Sequence, residues 1–206
     1  MAETELTVVI PSRLREQVLA ETLRRLLEQS AELPVEVVVV YDGPSPERRI
    51  TTEMGGGSAV PLRVIEQDAL GPAAARNRGI AAAAGSACLF LGDDAWPAAG
   101  LLERHLQFHR RHPEHGAAML GRVVPAPPLD RSEFVRWLHT DGVQFGYGGL
   151  TSGEVPAGSF WTANVSAKTE LLREAGGFDE AFTDAACEDA ELGMRLSRAG
   201  MRLVYD

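Results

Sequence analysis

The stretch VEVVVVYDG, residues 35–43, decides the fold class of this chain. It opens with a run rich in β-branched residues, positions 35–40, that is apolar except at Glu36, and the run ends at Asp42 and Gly43. A strand with apolar residues on both of its faces must be covered on both sides, which is typical of a parallel strand between layers of helices. The stretch therefore predicts a central parallel strand with a polar turn at its carboxyl end.

Similar signals lie on both sides of this strand. The run LTVVI at residues 6–10 ends at Pro11, and further apolar runs at 62–65 and 87–91 predict two more strands. An alanine-rich helix is expected at 72–84. Between the first two strands, apolar residues recur at helical spacing: Leu14, Val18, Leu19, Leu23, Leu26 and Leu27. The amino-terminal part is therefore predicted to be βαβαβ with a mostly parallel sheet.

The pattern is looser after Pro97. Helices are expected at 101–112, 168–175 and 188–199, and strands at 119–124, 160–166 and 203–205. The glycine-rich residues 140–158 predict a long mobile loop that closes over a ligand.

Composition limits the function classes. The 206 residues carry a formal net charge of −9 and contain no long Lys or Arg run, which excludes the electrostatic surface of a nucleic-acid binder. The two cysteines, Cys88 and Cys187, have no paired spacing, so both are expected to be small buried residues in a reducing compartment. We find no signal peptide and no apolar stretch near the roughly 20 residues needed to span a bilayer, so a cytoplasmic location is expected.

The stretch LFLGDDAWP, residues 89–97, places Asp93 and Asp94 directly after a buried strand. Carboxyl ends of parallel strands meet at one edge of the sheet, so these acids should lie near Pro11 and Asp42. A carboxylate pair beside a bound diphosphate is a common way to hold Mg²⁺ or Mn²⁺. The alternative is that both acids cap the following helix.

Other polar and aromatic groups each have two interpretations. GPAAARNRG, residues 71–79, offers backbone donors and guanidinium groups suited to phosphate, or is a surface helix with solvated arginines. Trp96 and Trp161 could stack on a sugar or belong to the core. The five histidines are expected on a solvated face and receive no role. They are His105, His109, His112, His115 and His139.

Six segments, in this order, resemble the inverting family 2 glycosyltransferases of the GT-A fold. They are VVIPSR, VVVVYDG, GPAAARNRGIAAAAG, LFLGDDAWP, SAKTELLREAGGFDEAF and CEDAELGMRLSRAG, and the similarity extends over residues 6–205. The resemblance implies an α/β fold with a mostly parallel, Rossmann-like sheet, helices on both faces and a smaller acceptor-side region. It implies one domain over residues 1–206, with a nucleotide-sugar half at 1–97 and an acceptor half at 98–206 that is shorter at its carboxyl end than in most members.

The resemblance also implies roles for individual residues on the donor side. The nucleoside pocket would be lined by Pro11, Ser12 and Arg13, the base would bond to Asp42, the nucleotide and diphosphate would lie near Gly71 and Arg76, and the ribose near Asp93. Asp94 would bind Mn²⁺ or Mg²⁺. Two positions depart from the usual pattern, because Gly92 replaces the first acid of the metal motif and Tyr41 replaces an aspartate.

On the acceptor side, the resemblance implies that Asp189 is the general base, with Glu188, Trp161 and Asn164 nearby. The chemistry also needs such a group, since inverting transfer is one displacement in which a carboxylate takes the proton of the acceptor hydroxyl. The alternative is that Glu188 and Asp189 are ordinary acids of a first helical turn.

The predicted function is metal-dependent transfer of a sugar, with inversion, from a nucleotide diphosphate-sugar to an acceptor hydroxyl. A UDP-sugar is the expected donor, and the expected acceptor is a glycan, a lipid-linked molecule or a small molecule. Membrane association at the inner face through another segment is compatible with this role. The alternatives are a GT-A module that binds nucleotide-sugar with weak or no transfer and, more remotely, a nucleotidyltransferase.

Overall fold

The structure is a computed structural model that describes residues 3–30, 32–44, 54, 60–126, 132–140 and 146–206. The strands of this part are β1 (Leu6–Ser12), β2 (Val35–Asp42), β3 (Leu62–Gln67), β4 (Ala87–Leu91), β5 (Ala117–Leu120), β6 (Gly153–Glu154), β7 (Asn164–Lys168) and β8 (Arg202–Tyr205). The α-helices are α1 (Glu16–Ser30), α2 (Pro72–Ala82), α3 (Leu101–Arg111), α4 (Glu133–Thr140), α5 (Thr169–Glu174) and α6 (Glu188–Arg198).

All eight strands form one sheet in the order β3-β2-β1-β4-β7-β5-β8-β6. The amino-terminal strands pair in parallel, β1 with β2 and β4, and β2 with β3, as the apolar runs predicted. Every residue of β2 is buried. On β1, Val8 and Ile10 pack with Leu19 of α1, whereas Val9 packs with Ile80 of α2 on the opposite face. Both faces of the sheet are therefore covered by helices.

The sheet becomes mixed toward its other edge. Strand β7 lies antiparallel between β4 and β5, β8 is parallel to β5, and β6 is antiparallel to β8. Strands from both predicted halves thus belong to the same sheet. The division of the chain at residue 97 stays a prediction.

Boundaries in this second half differ from those expected. Strand β7 begins at Asn164 rather than at 160, because the preceding residues form a turn in which the Asn164 N–H donates to the carbonyl of Trp161 at 3.2 Å. Strand β5 ends at Leu120 rather than continuing to 124, and helix α4 was not predicted. Apolar periodicity marks an element more reliably than it marks the element's ends.

Within the predicted mobile loop, residues 141–145 lie outside the described residues. Residues 146–158 are not an open loop. Tyr147 is buried and donates its hydroxyl to the carbonyl of Gly121 at 3.1 Å, and Val155 bonds to Leu203 beside β6. This segment closes the edge of the sheet and covers part of the core, which corrects the prediction for these residues.

The apolar stripe of α1 also needs correction at its beginning. The helix starts at Glu16, so Leu14 precedes it, with a left-handed φ of 53°. Leu14 and Val18 are exposed, whereas Leu19, Leu23 and Leu26 are completely buried. Among the described residues, none of the helices is both long and apolar enough to cross a membrane.

Candidate active site

A cleft of about 670 Å³ opens at the carboxyl ends of β1, β2 and β4, facing the amino end of α6. This volume lies in the usual range for sites that bind a small molecule or cofactor. The cleft is lined by most of the residues singled out in the sequence: Pro11, Ser12, Arg13, Asp42, Arg76, Asp93, Asp94, Trp161, Glu188 and Asp189. The structure therefore brings the donor-side and acceptor-side candidates to one place.

Two predicted residues lie outside this lining. Gly71 precedes α2, and its backbone N–H donates to the carboxylate of Asp42. Asn164 is buried in β7, where its Oδ1 bonds to a ring nitrogen of His105 and its Nδ2 donates to the carbonyl of Arg122. Gly71 therefore supports a residue of the cleft, whereas the side chain of Asn164 bonds to residues outside its lining.

The Asp42 carboxylate is largely occupied by neighbours within the protein. Its Oδ1 accepts hydrogen bonds from the side chain of Gln67 at 2.9 Å and from the backbone of Leu70 at 2.8 Å and Gly71 at 3.1 Å. Its Oδ2 also accepts from the Gly71 N–H, at 3.1 Å. The single Gly71 N–H is shared between both oxygens and is the only donor that the described residues place on Oδ2, so Oδ2 retains at least one acceptor position. Asp42 thus fixes the turn that leads into α2.

Asp93 and Asp94 sit in a turn after β4, and the next helix begins only at Leu101 with Gly100 as its cap. The helix-capping alternative for these acids is therefore wrong. Asp93 is buried and its Oδ2 accepts a hydrogen bond from the hydroxyl of Ser12 at 2.7 Å. Burial raises the pKa of Asp93, while the bonds from Ser12 and from Arg15 act in the opposite direction. The side chain of Asp94 is 60% exposed.

Arg15 was not predicted, yet it lines the cleft and bridges both acids. Its Nε and Nη2 contact the two carboxylate oxygens of Asp93, and its Nη1 donates to Asp94 Oδ2 at 3.2 Å. Arg15 therefore belongs to the site through its contacts with the two acids that follow β4.

Arg76 is buried and forms an ion pair with Glu188, in which the Nη1–Oε1 distance is 2.8 Å. Its guanidinium also lies 5.4 Å from the ring centre of Phe178. Burial lowers the pKa of Arg76, and Glu188 opposes that change. The interpretation of α2 as a surface helix with two solvated arginines is thus wrong for Arg76, although Arg78 is exposed.

Asp189 lies in the first turn of α6 and lines the cleft. Its Oδ1 accepts from the Ala190 N–H at 2.7 Å and its Oδ2 from the Thr162 N–H at 3.3 Å. Burial raises the pKa of Asp189 and the charge of Glu188 raises it further, against the effect of these donors and of Arg76. A raised pKa makes a carboxylate a better proton acceptor when it is ionised.

Cys187 and Trp161 line the cleft, whereas Trp96 lies outside its lining. Cys187 is exposed with a left-handed φ of 64° and lines the cleft, which corrects the expectation that it is buried. Trp161 lines the cleft and its ring packs against Tyr147 at 4.8 Å. Trp96 is 43% exposed outside the cleft lining, with the guanidinium of Arg25 4.5 Å from its ring.

Two histidines contradict the prediction of a solvated face. His105 and His109 are buried, and each ring has a nitrogen 2.8 Å from the hydroxyl of Ser166. Since Asn164 Oδ1 only accepts, His105 Nε2 must donate to it, so Ser166 donates to His105 and accepts from His109. Burial lowers the pKa to about 4 for His105 and about 3 for His109. Both rings are therefore neutral at pH 7.

The donor set of the cleft can be compared with the needs of a divalent ion. In the part of the chain that the structure describes, no three His, Cys, Asp or Glu side chains are grouped so that they could hold a metal by themselves. Asp94 nevertheless presents an exposed carboxylate. Mg²⁺ commonly uses one or two carboxylates and takes its other ligands from phosphate and water. The residues present fit a metal that arrives with a diphosphate.

The mixed sheet and the acid-lined cleft at its strand ends define a GT-A fold. The chain matches the family described as glycosyl transferase family 2 over residues 7–142 and belongs to that family.

Curated relatives are similar over nearly the whole chain. The pre-mycofactocin glycosyltransferase of Mycobacterium tuberculosis is 30% identical over 98% of this chain and 41% of its own length. The validoxylamine A glucosyltransferase of Streptomyces hygroscopicus subsp. jinggangensis is 27% identical over 95% of this chain and 52% of its own length. This chain thus spans about half of the length of these relatives.

Solved structures share the fold. S. aureus TarS 1-349 in complex with UDP aligns over 98% of this chain and 57% of its own length, with 21% identity and a TM-score of 0.75. The mannosyltransferase PcManGT from Pyrobaculum calidifontis, in complex with GDP-Man and Mn²⁺, aligns over 98% of this chain and 54% of its own length, with 21% identity and a TM-score of 0.71.

Proposed function

We propose that this protein transfers a sugar from a nucleotide diphosphate-sugar to an acceptor hydroxyl, with inversion at the anomeric carbon. The observation that carries the proposal is that two groups of acidic residues from distant parts of the chain line one cleft. Asp93 and Asp94 come from the end of β4, and Asp189 comes from the start of α6. Asp93 and Asp94 suit the diphosphate side of the reaction, and Asp189 suits the acceptor side.

The donor would lie along the carboxyl ends of β1 and β2. The nucleoside would pack against Pro11, Ser12 and Arg13, and the free acceptor position on Asp42 Oδ2 suits a base N–H such as that of uracil. Arg76, whose charge is paired with Glu188, would offer its remaining guanidinium N–H groups to the diphosphate. UDP in TarS and GDP-Man in PcManGT support a nucleotide diphosphate donor of either base.

Asp189 would take the proton of the acceptor hydroxyl. Its two backbone hydrogen bonds orient the carboxylate, and burial keeps it a good proton acceptor. Glu188 would act through its ion pair with Arg76, which fixes the first turn of α6, while Trp161 would form part of the acceptor wall.

Asp94, with Asp93 behind it, would hold Mn²⁺ or Mg²⁺ together with oxygens of the donor diphosphate. When bound, such an ion stabilises the negative charge of the departing nucleotide diphosphate. The pairing of GDP-Man with Mn²⁺ in PcManGT supports this assignment.

The acceptor would be a discrete molecule, whether a small compound, a lipid-linked molecule or a short glycan. The curated relatives support this class, because their names refer to pre-mycofactocin and validoxylamine A. A cytoplasmic location, with association to the inner face of a membrane through another segment, stays a prediction from the sequence.

The test of the metal site measures the affinity for nucleotide with and without Mn²⁺. We expect UDP or GDP to bind more tightly with Mn²⁺ than without it, and Asp94→Ala to remove that difference while its circular dichroism stays native. Glu103→Ala removes an exposed acid on α3 and serves as the matched control. Unchanged Mn²⁺-dependent binding in Asp94→Ala would refute the metal assignment.

A second candidate function is nucleotide-sugar binding with little or no transfer. It is favoured by the absence of an acid at position 92 and by the occupation of Asp93 and Asp94 by Arg15. Slow release of sugar from UDP-sugars or GDP-sugars in the presence of Mn²⁺ identifies the enzyme. Binding without any such release identifies the binding module.

A further inference from the structure

Arg15 holds the two acids of the cleft at the same time. Its guanidinium makes contacts with both carboxylate oxygens of Asp93 and with one oxygen of Asp94. A planar guanidinium suits this arrangement, because its donors are fixed in a fork that matches carboxylates. Asp93 is buried whereas the Arg15 side chain is 52% exposed, so the arginine lies on the solvent side of the pair.

The remaining contacts show which of the two acids can be released. Asp93 also accepts from Ser12 at 2.7 Å, and its backbone carbonyl accepts from the hydroxyl of Thr22 at 2.7 Å, so it is fixed from several directions. Asp94 has an exposed side chain, and Arg15 Nη1 contacts its Oδ2 at 3.2 Å. The Arg15–Asp94 contact is therefore the weaker side of the bridge.

A divalent cation at Asp94 would meet the positive charge of Arg15. Like charges a few ångströms apart disfavour one another strongly at the edge of a protein. The repulsion is reduced when an anion with several oxygens lies between or beside the two cations, as a diphosphate would. The arrangement thus disfavours a metal ion alone and tolerates a metal ion that arrives with a diphosphate.

We propose that Arg15 is a positioning residue that offsets part of the negative charge of Asp93 and Asp94 before ligands bind and makes metal binding conditional on the nucleotide diphosphate. This inference rests on the proposed function, since it assigns a condition to the same metal site. When metal and diphosphate bind, the Arg15–Asp94 contact breaks and the Arg15–Asp93 contact remains.

The experiment measures binding of Mn²⁺ alone, by titration calorimetry and by the electron paramagnetic resonance signal of free Mn²⁺. Arg15→Met keeps the apolar stem and removes the charge, and we expect it to bind Mn²⁺ without nucleotide about 10-fold more tightly than the parent. Arg15→Lys keeps the charge without the fork and should stay close to the parent. Arg24→Met, which removes an equal charge from exposed ion pairs on α1, is the control and should not change Mn²⁺ binding.

Adding UDP or GDP distinguishes the possible failures. We expect nucleotide to tighten Mn²⁺ binding in the parent much more than in Arg15→Met. Equal Mn²⁺ affinity of the parent and Arg15→Met without nucleotide, with nucleotide-dependent tightening intact in both, overturns the role of Arg15 and leaves the proposed function in place. If no variant binds Mn²⁺ even with either nucleotide, the metal-dependent function and this inference both fall.

Discussion

Arg76 of α2 and Glu188 of α6 form a buried ion pair across the cleft although 112 residues separate them in the chain. The pair joins the helix that follows β3 to the turn that carries Asp189. The pair therefore fixes the amino end of α6 relative to α2 at one wall of the cleft.

Removing one member of this pair should be costly. We expect Arg76→Met or Glu188→Gln to lower the free energy of unfolding by about 3 kcal/mol, because each leaves a buried partner unpaired. The double variant should lose much less than the sum of the two. Urea unfolding of the four proteins measures the coupling, and strictly additive losses would show that the pair makes no specific contribution.

Asp189→Asn should separate stability from chemistry. The folded-state pKa of Asp189 is raised, so its carboxyl favours the fold below the unfolded value of about 3.9 and loses that contribution as pH rises through the folded value. An asparagine does not ionise, so the free energy of unfolding of Asp189→Asn should lack this pH dependence, although its amide nitrogen must replace one of the two oxygens that accept from Thr162 and Ala190. Sugar transfer should fall by about 100-fold or more.

Glu103 is an exposed acid in the first turn of α3, and Glu103→Gln is the control for both the unfolding and the transfer measurements. Its stability and its transfer rate should stay near those of the parent. A variant of Asp189 that transfers sugar at the parent rate would remove the general base from this residue.

His105 and His109 should make the fold sensitive to mild acid. Their folded pKa values, about 4 and about 3, lie below the unfolded value of about 6.5, so their contribution is present above pH 6.5 and is lost as pH falls toward the folded values. We expect a loss of about 2 kcal/mol for each histidine between pH 7.5 and pH 5.

His109→Gln keeps a donor for Ser166 but cannot titrate, so it should remove about half of this pH dependence. His112→Gln changes an exposed ring and should leave the pH dependence intact. Urea unfolding at pH 7.5 and pH 5 measures the change in the free energy of unfolding between the two pH values. An equal change in the parent and in both variants would contradict the role of the buried rings.

Gly71→Ala should disturb the wall of the cleft. Gly71 has a φ of 97°, and an added Cβ would lie 2.3 Å from the carbonyl oxygen of Thr183. Gly100 has a φ of 80° with no atom within 4 Å of an added Cβ, so Gly100→Ala measures the backbone strain alone, about 1 kcal/mol. Gly71→Ala should lose more stability than Gly100→Ala and should weaken nucleotide binding. Equal losses in calorimetric unfolding would show that the contact with Thr183 yields without cost.

The donor side could be predicted from sequence because its information is local. A polar residue follows each of three apolar runs at the second position, and parallel strands bring these residues, Ser12, Asp42 and Asp93, to one edge without any further knowledge of the fold. The positions of the strands followed from the same runs. The carboxyl-terminal half was predicted less well because β7 is inserted antiparallel between β4 and β5, a pairing that has no local signal.

The residues that sequence reasoning missed or misread have distant partners. Arg15 resembles its neighbour Arg13 in the sequence, and only the turn after β4 distinguishes them. The helix with His105 and His109 contains several charges, which suggested solvent, whereas Ser166 of β7 supplies the buried partner. A periodic pattern shows which face of a helix is polar, but it does not show whether protein or water satisfies that face.

The antiparallel pairing of β4 with β7 has a mechanical consequence for the cleft. The two strands share a continuous register from Ala87 with Lys168 to Leu91 with Asn164. Rotating the parallel strands β1 to β4 as a body away from β7, β5 and β8 would require breaking this hydrogen-bonded ladder. A change in the shape of the cleft would therefore come from its side chains and loops, such as the segment 183–187, rather than from a hinge between the two groups of strands.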